Sequence, residues 1–177
     1  MSVLPGPKPS SPDGSRAPIS GRFSLVDHNG RCVTEASFAG LWLLVFFGFT
    51  HCRVVCPRAL KRIDDALALL GPGADAIQPL YITVDPARDT PDVMRNYLHD
   101  AHPRVLGLTG DDAAVQAAKK AFLVFSRRLE DTDDPDGYAM PHTAFTYLID
   151  KAGAYRAHFP DTISVNELAE RLRRHLG

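Results

Sequence analysis

At 177 residues, 45% hydrophobic and 23% charged, the chain has the size and composition of one globular domain with an adequate core. Its formal net charge of −1 and the lack of a long basic tract argue against a general attraction to nucleic acid or anionic membrane. Three cysteines are too few for a disulfide scaffold, and no apolar run reaches the roughly 18 residues of a membrane span.

Residues 1–20 are rich in Pro, Ser and Gly and lack the apolar centre of a signal peptide. They read as a flexible lead-in, or as what remains after an anchor is trimmed away, ahead of a domain over 21–177. Phe23 to Asp27 alternates as a half-buried strand, and Asn29-Gly30 signals a hairpin whose return strand runs from Arg31 and Cys32 toward Phe38. Leu41 to Phe49 is apolar on both faces, the pattern of a central strand covered by helices. Pro57 opens a helix that carries apolar residues at Leu60, Ile63, Ala66 and Leu69-Leu70 and stops at Gly71-Pro72-Gly73. Ile77 to Val84 is the second central strand, Thr90-Pro91 opens a helix to about Asp100, and Val105 to Leu108 is a short strand. An Ala-rich helix spans Asp111 to Phe122, followed by a strand over Phe125 to Leu129 and an acidic loop from Asp131 to Gly137. Strands over Thr143 to Ile149 and Ala154 to Phe159 and a helix over Val165 to His175 close the chain.

Strand–helix alternation with antiparallel pairs at both ends predicts an α/β fold, a mixed sheet flanked by helices with an N-terminal β-hairpin. A strand that leads into a cysteine pair at a helix N-terminus is the thioredoxin-like arrangement. That pair is Cys52 and Cys56, in the run Thr50-His51-Cys52-Arg53-Val54-Val55-Cys56-Pro57. Cys56 precedes Pro57, so the free N–H groups and the dipole of the helix favour its thiolate. In such places a thiol falls from about 8.5 to roughly 3.5–7.5. Arg53 between the cysteines pushes the same way. Three intervening residues let both sulfurs share one side of a loop or first helical turn, where they can chelate a soft metal or close a disulfide. The spacing leaves both chemistries open, beside the plainer reading of two buried cysteines acting as small hydrophobes.

Several spaced stretches together resemble the Sco/SenC family of copper-binding, thioredoxin-fold proteins. They are Phe47-Gly48-Phe49-Thr50-His51-Cys52 with Cys56-Pro57, Thr83-Val84-Asp85-Pro86-Ala87-Arg88-Asp89-Thr90-Pro91, Leu108-Thr109-Gly110, and His142-Thr143-Ala144-Phe145-Thr146-Tyr147-Leu148-Ile149-Asp150, in the family's order. The resemblance implies copper held by Cys52, Cys56 and the distant His142; thiolates suit Cu(I), and imidazole also accepts Cu(II). It further implies a metallochaperone that helps assemble the copper centre of cytochrome c oxidase. Its partner would be the copper-bearing subunit of that enzyme or another copper protein, with the chain itself a monomer on the periplasmic side of the inner membrane and its anchor absent here. Three positions depart from the family pattern. Arg53 and Val54 stand where Pro-Asp is common after the first cysteine, and Pro141 stands where Asp commonly precedes the histidine. Two thiolates around Cu(I) carry a net charge of −1, which Arg53 can balance while opposing Cu(II), so Cu(I) is favoured over Cu(II). Pro141 is also a candidate for a cis peptide bond.

The alternative function is a thiol–disulfide oxidoreductase in which Cys52 and Cys56 form a redox dithiol that reduces partner cysteines. A peroxiredoxin-like peroxidase is suggested by Val55-Cys56-Pro57, but Arg53 stands where a threonine is expected. His51 is a candidate fourth ligand or a tuner of the adjacent thiol. Asp85 and Asp89 suit acid–base work or, more simply, helix capping with Thr90 and pairing with Arg88. The resemblance places their loop close to the metal site. Cys32 reads as structural, and Asp131 to Asp136 as a solvated loop rather than a divalent-ion site.

Overall fold

The computed structural model describes residues 18–177. Most of the lead-in expected over 1–20 therefore lies outside the described residues. Ser20 already belongs to the folded body, since its N–H donates to the Ala121 carbonyl at 3.0 Å.

The hairpin forms between β1 (Ser24–Asp27) and β2 (Cys32–Thr34), with Val26 opposite Cys32. Its return strand is shorter than the alternation implies. A 3₁₀ turn over Glu35–Phe38 replaces it, closed by a Thr34–Ser37 capping box in which the Thr34 N–H donates to Ser37 Oγ. β3 (Trp42–Gly48) leads into the cysteine loop and then α1 (Val55–Leu70). The chain continues through β4 (Ile77–Thr83), α2 (Pro91–Leu98), β5 (Leu106–Thr109) and α3 (Asp112–Ala121). Two-residue strands β6 (Leu129–Glu130) and β7 (Tyr138–Ala139) flank the acidic loop, and β8 (Phe145–Ile149), β9 (Tyr155–Pro160) and α4 (Val165–Leu176) complete the fold. The strand expected over Phe125 to Leu129 reduces to Leu129 in β6 and one isolated bridge, Ser126 to His142.

The main sheet has the order β2-β1-β5-β4-β3-β8-β9. β3 runs parallel to β4, and β4 to β5; β1, β8 and β9 join antiparallel. This is the mixed sheet flanked by helices that the alternation predicts. β3 lies inside the sheet, and Leu43, Leu44, Val45, Phe46 and Phe47 are all buried, which explains an apolar run without alternation. α1 turns Cys56, Ala59, Leu60, Ile63, Ala66 and Leu67 inward, a spacing of three and four residues that forms one helical face. α1 packs on α4, while α2 lies against β5 and α3 against β1. No helix among the described residues is long and apolar enough to cross a membrane. The site sits at the C-terminal ends of the parallel strands β3 and β4, where their loops meet the N-terminus of α1.

Candidate functional site

The cysteine loop begins where β3 ends. The Cys52 N–H donates to the Phe49 carbonyl at 3.1 Å, a tight turn that brings Cys52 back over the start of α1. A second anchor comes from Asp89, a buried carboxylate on the loop between β4 and α2. It accepts the Thr50 N–H at 3.1 Å, the Thr50 hydroxyl at 2.5 Å and the Thr83 hydroxyl at 2.6 Å. Burial pushes the Asp89 carboxyl up, and those hydrogen bonds oppose the rise. The Thr109 hydroxyl donates to the Asp89 carbonyl at 2.6 Å, so β5 holds the same corner. Thr90, not Asp89, caps α2, accepting from the Val93 N–H at 3.3 Å.

α1 begins at Val55, two residues before the proline expected to open it. Cys56 is therefore inside the first turn, and its side chain is fully buried. The outer sulfur, Cys52 Sγ, occupies the place of a capping acceptor: the Cys56 N–H donates to it at 3.4 Å. This reverses the assignment expected from the sequence. Cys52 is the ionised thiol, held down to about 5 first by the Cys56 S–H it accepts, then by the backbone N–H groups of Cys56, Val54 and Val55. Cys56 is pushed above the ordinary thiol range because it donates to Cys52 and is buried. Arg53 does not contribute as expected, because its guanidinium turns to Asp131 Oδ2 at 2.8 Å. Neither Cys52 nor Cys56 is in a disulfide, and Cys32 is free and exposed on β2.

Gly48 makes the close packing behind the dithiol possible. A Cβ there would lie 2.5 Å from the Tyr81 ring and hydroxyl and 2.7 Å from Cys56 Sγ. No larger residue fits at that point of β3 without displacing the sulfur.

His142 faces the same cavity as Cys52. The cavity measures about 380 Å³ and is walled by Phe49, Val54, Met140 and Pro141 as well as these two residues. The imidazole lies edge-on to Phe46 and Phe49, with ring centroids 6.2 Å and 5.9 Å apart. Its Nδ1 is 3.1 Å from the Met140 carbonyl. A carbonyl only accepts, so in the neutral ring Nδ1 carries the proton and Nε2 keeps its lone pair. Nε2 is buried and has no hydrogen-bond partner. A neutral imidazole with one nitrogen tied to a carbonyl and the other bare is the form that binds a metal. Two sulfurs and one bare imidazole nitrogen also form a donor set suited to soft, thiophilic ions such as Cu(I). The three donors stand apart in this structure. Among the described residues no three His, Cys, Asp or Glu side chains are close enough to hold an ion as they stand. The Pro141 peptide bond is trans, against the cis candidate, as are the other described peptide bonds.

The remaining candidates fall outside that donor set. His51 Nδ1 is 3.2 Å from the Thr50 hydroxyl, and its Nε2 is 3.6 Å from Asp136. Asp85 pairs with Arg88 at 2.5 Å and accepts the Tyr138 hydroxyl at 3.0 Å. The acidic loop is bound rather than freely solvated. Arg88 reaches Asp134 at 2.9 Å and Asp136 at 3.5 Å, tying this loop to the loop between β4 and α2, and Arg53 holds Asp131, tying it to the cysteine loop.

Comparison with known proteins agrees with this geometry. The family model SCO1/SenC matches residues 11–177. The SCO2-like protein RP587 of Rickettsia prowazekii is 39% identical over 152 residues, which is 86% of this chain and 74% of that protein. The human mitochondrial SCO2 homolog is 37% identical over 159 residues, covering 89% of this chain and 59% of the relative. Among solved structures, Bradyrhizobium japonicum ScoI with copper bound matches at a TM-score of 0.79 with 40% identity, covering 89% of this chain and 99% of that one. Yeast Sco1 with copper bound matches at 0.81 with 32% identity, covering 89% and 88%. The family expected from the cysteine, aspartate and histidine stretches is therefore the family found, and the chain belongs to SCO1/SenC.

Proposed function

We propose that this chain is a copper metallochaperone that takes Cu(I) through Cys52, Cys56 and His142 and passes it to a copper protein during assembly of cytochrome c oxidase. The observation that carries the reading is the bare, buried Nε2 of His142 on the same cavity as the ionised Cys52. The copper in the two solved relatives supports the choice of metal. Cys52 meets an incoming ion as a thiolate. Cys56 gives up its proton as its sulfur joins, and His142 needs no change of tautomer to approach the ion, because Met140 already ties its Nδ1. Two thiolates and a neutral imidazole give a Cu(I) complex with one net negative charge. Arg53, held by Asp131, stands at the mouth rather than beside the sulfurs. We place this activity on the periplasmic side of the inner membrane, with the chain acting as a monomer.

The test is titration of the fully reduced protein with Cu(I) in competition with a chelator, with Cys52→Ser/Cys56→Ser and His142→Ala in parallel. The proposal requires tight one-to-one binding in the parent, loss in the double variant and weakening in His142→Ala. Equal binding by parent and double variant would end it.

A second reading rests on the split between the cysteines. An ionised, half-exposed Cys52 beside a protonated, buried Cys56 is the polarity a disulfide reductant needs. Cys52 would attack a partner disulfide, forming a mixed disulfide and releasing one partner thiolate. Cys56 would then lose its proton and attack Cys52 Sγ, releasing the second partner thiolate and leaving a Cys52–Cys56 disulfide. The partner gains two electrons and this chain loses two. Reduction of copper-site cysteines before loading would join the two readings.

A further inference from the structure

A second cavity, of about 320 Å³, lies at the C-terminal end of α3, and neither reading above uses it. Gln116, Lys119, Lys120, Leu123 and Phe125 are among its walls. Between Asp112 and Glu130 the chain carries Lys119, Lys120, Arg127 and Arg128 and no acidic residue, in a protein whose net charge is −1. Among the described residues none of these cations is in an ion pair with a carboxylate. Arg128 stacks on the Tyr138 ring at 3.6 Å, while Lys120 and Arg127 are exposed. Lys119 is buried, and its ammonium donates to the neutral Gln116 amide oxygen at 3.0 Å. Cations in the last turn of a helix complement its C-terminal carbonyls. That accounts for the charge of Lys119 and Lys120, but not for burying one of them beside a neutral partner.

The cavity wall contains a strained residue. Leu123 follows α3 with a φ of 55°, the left-handed conformation that glycine adopts freely. Its N–H donates to the Lys120 carbonyl at 3.2 Å, and the Val124 N–H donates to the Lys119 carbonyl at 2.8 Å, a helix ending that ordinarily carries glycine. Leucine there gives the cavity a side chain that glycine would not. Next comes Phe125, which is 74% exposed. This segment is fastened to the one that carries His142. The Phe125 N–H donates to the Thr143 hydroxyl oxygen at 3.1 Å, and the Phe125 carbonyl accepts the Thr143 N–H at 2.9 Å. Ser126 bridges to His142, and the Arg127 N–H donates to the Pro141 carbonyl at 3.1 Å. Side chains alternate along an extended segment, so Phe125 and Arg127 share a face.

We propose that this face docks the copper-receiving protein, taking a carboxylate side chain of that partner into the cavity beside Lys119 and Lys120 and an apolar side chain onto Phe125. The inference rests on the copper reading above and deepens it by giving the partner's chemistry, an acidic rim with an apolar contact. A carboxylate seated there supplies the counter-charge that Lys119 lacks, and the exposed Lys120 and Arg127 steer an acidic partner toward it. Two observations favour a protein over a lipid surface. The cavity is concave, so a protruding side chain fills it where a flat bilayer does not. The face is also continuous with the segment that holds His142, which a recipient must approach to take the ion.

The test is association of the Cu(I)-loaded chain with the apo copper-bearing domain of cytochrome c oxidase, followed by surface plasmon resonance at low and at physiological salt. The association rate of the parent should fall roughly tenfold between the two. Lys120→Glu/Arg127→Glu should slow low-salt association roughly tenfold and flatten the salt dependence, with Lys120→Gln/Arg127→Gln in between. Phe125→Ala should speed dissociation roughly tenfold. All three side chains are exposed and outside the donor set, so each variant should keep the parent's Cu(I) affinity within about twofold and its melting temperature. Association that is independent of salt, or equal in parent and Lys120→Glu/Arg127→Glu, would overturn the inference while leaving the copper reading intact. So would binding to phosphatidylglycerol vesicles that the charge reversal abolishes while association with the domain is unchanged, since the face would then serve lipid. A parent that binds Cu(I) no better than Cys52→Ser/Cys56→Ser would remove the copper reading and this inference together.

Discussion

Replacing Cys56 with alanine isolates the interaction that sets the charge of Cys52. In the folded protein Cys52 Sγ is held at about 5 by two kinds of donor, the Cys56 S–H and the backbone N–H groups at the start of α1. Cys56→Ala deletes the first and keeps the second, because the N–H of residue 56 remains 3.4 Å from the sulfur. A hydrogen bond to a charged group contributes about 1.5–3 kcal/mol, and one pH unit corresponds to about 1.36 kcal/mol, so the midpoint of Cys52 ionisation should rise by roughly one to two pH units. The assay is the rate of alkylation of reduced protein by iodoacetamide from pH 4 to 10, with mass spectrometry assigning the site. A Cys32→Ser background removes the exposed third thiol. The thiolate is the reactive form, so the rate rises with pH and levels off above the midpoint. The parent should level off just above about 5, and the variant at correspondingly higher pH. A variant midpoint that stays at the parent's value would show that the backbone donors suffice. A parent midpoint in the ordinary thiol range near 8.5 would refute the helix-terminus account altogether.

Three further outcomes follow from the same geometry. Gly48→Ala should destabilise the protein by about 1–3 kcal/mol in urea unfolding, because the new methyl group overpacks Tyr81 and Cys56. Asp89→Ala strands the Thr50 N–H and the Thr50 and Thr83 hydroxyls. It should cost on the order of 3 kcal/mol and speed hydrogen exchange at the Thr50 amide, loosening the loop that carries Cys52. Arg53→Ala should change stability by less than about 1 kcal/mol, since its ion pair with Asp131 is largely exposed, and should leave the Cys52 alkylation midpoint where it was.

The fold is largely legible in the sequence because its signals are local. The Leu41 to Phe49 run marks a covered strand, and the three- and four-residue spacing from Cys56 to Leu67 marks a helix face. β6 and β7 are harder, since two-residue strands leave no periodicity to read. At the site, the cysteine pair and His142 stand out as residue types, but their states depend on partners far along the chain. Arg53 is turned away by Asp131, which lies 78 positions later, and no neighbouring residue signals that. The sequence places Cys56 at the helix start, which favours its ionisation; the folded loop instead lays Cys52 over the helix end and buries Cys56. The anchoring of Thr50 by Asp89 joins two of the stretches that carry the family resemblance, yet their contact is a product of sheet order rather than spacing.

The central claim is that one distant imidazole completes a dithiol site for copper, and X-ray absorption at the copper edge tests it most directly. Reduced protein loaded with one equivalent of Cu(I) should show two sulfur ligands and one nitrogen ligand, with the nitrogen lost in His142→Ala and retained in His51→Ala. A spectrum unchanged by His142→Ala, or one lacking sulfur, would contradict the account.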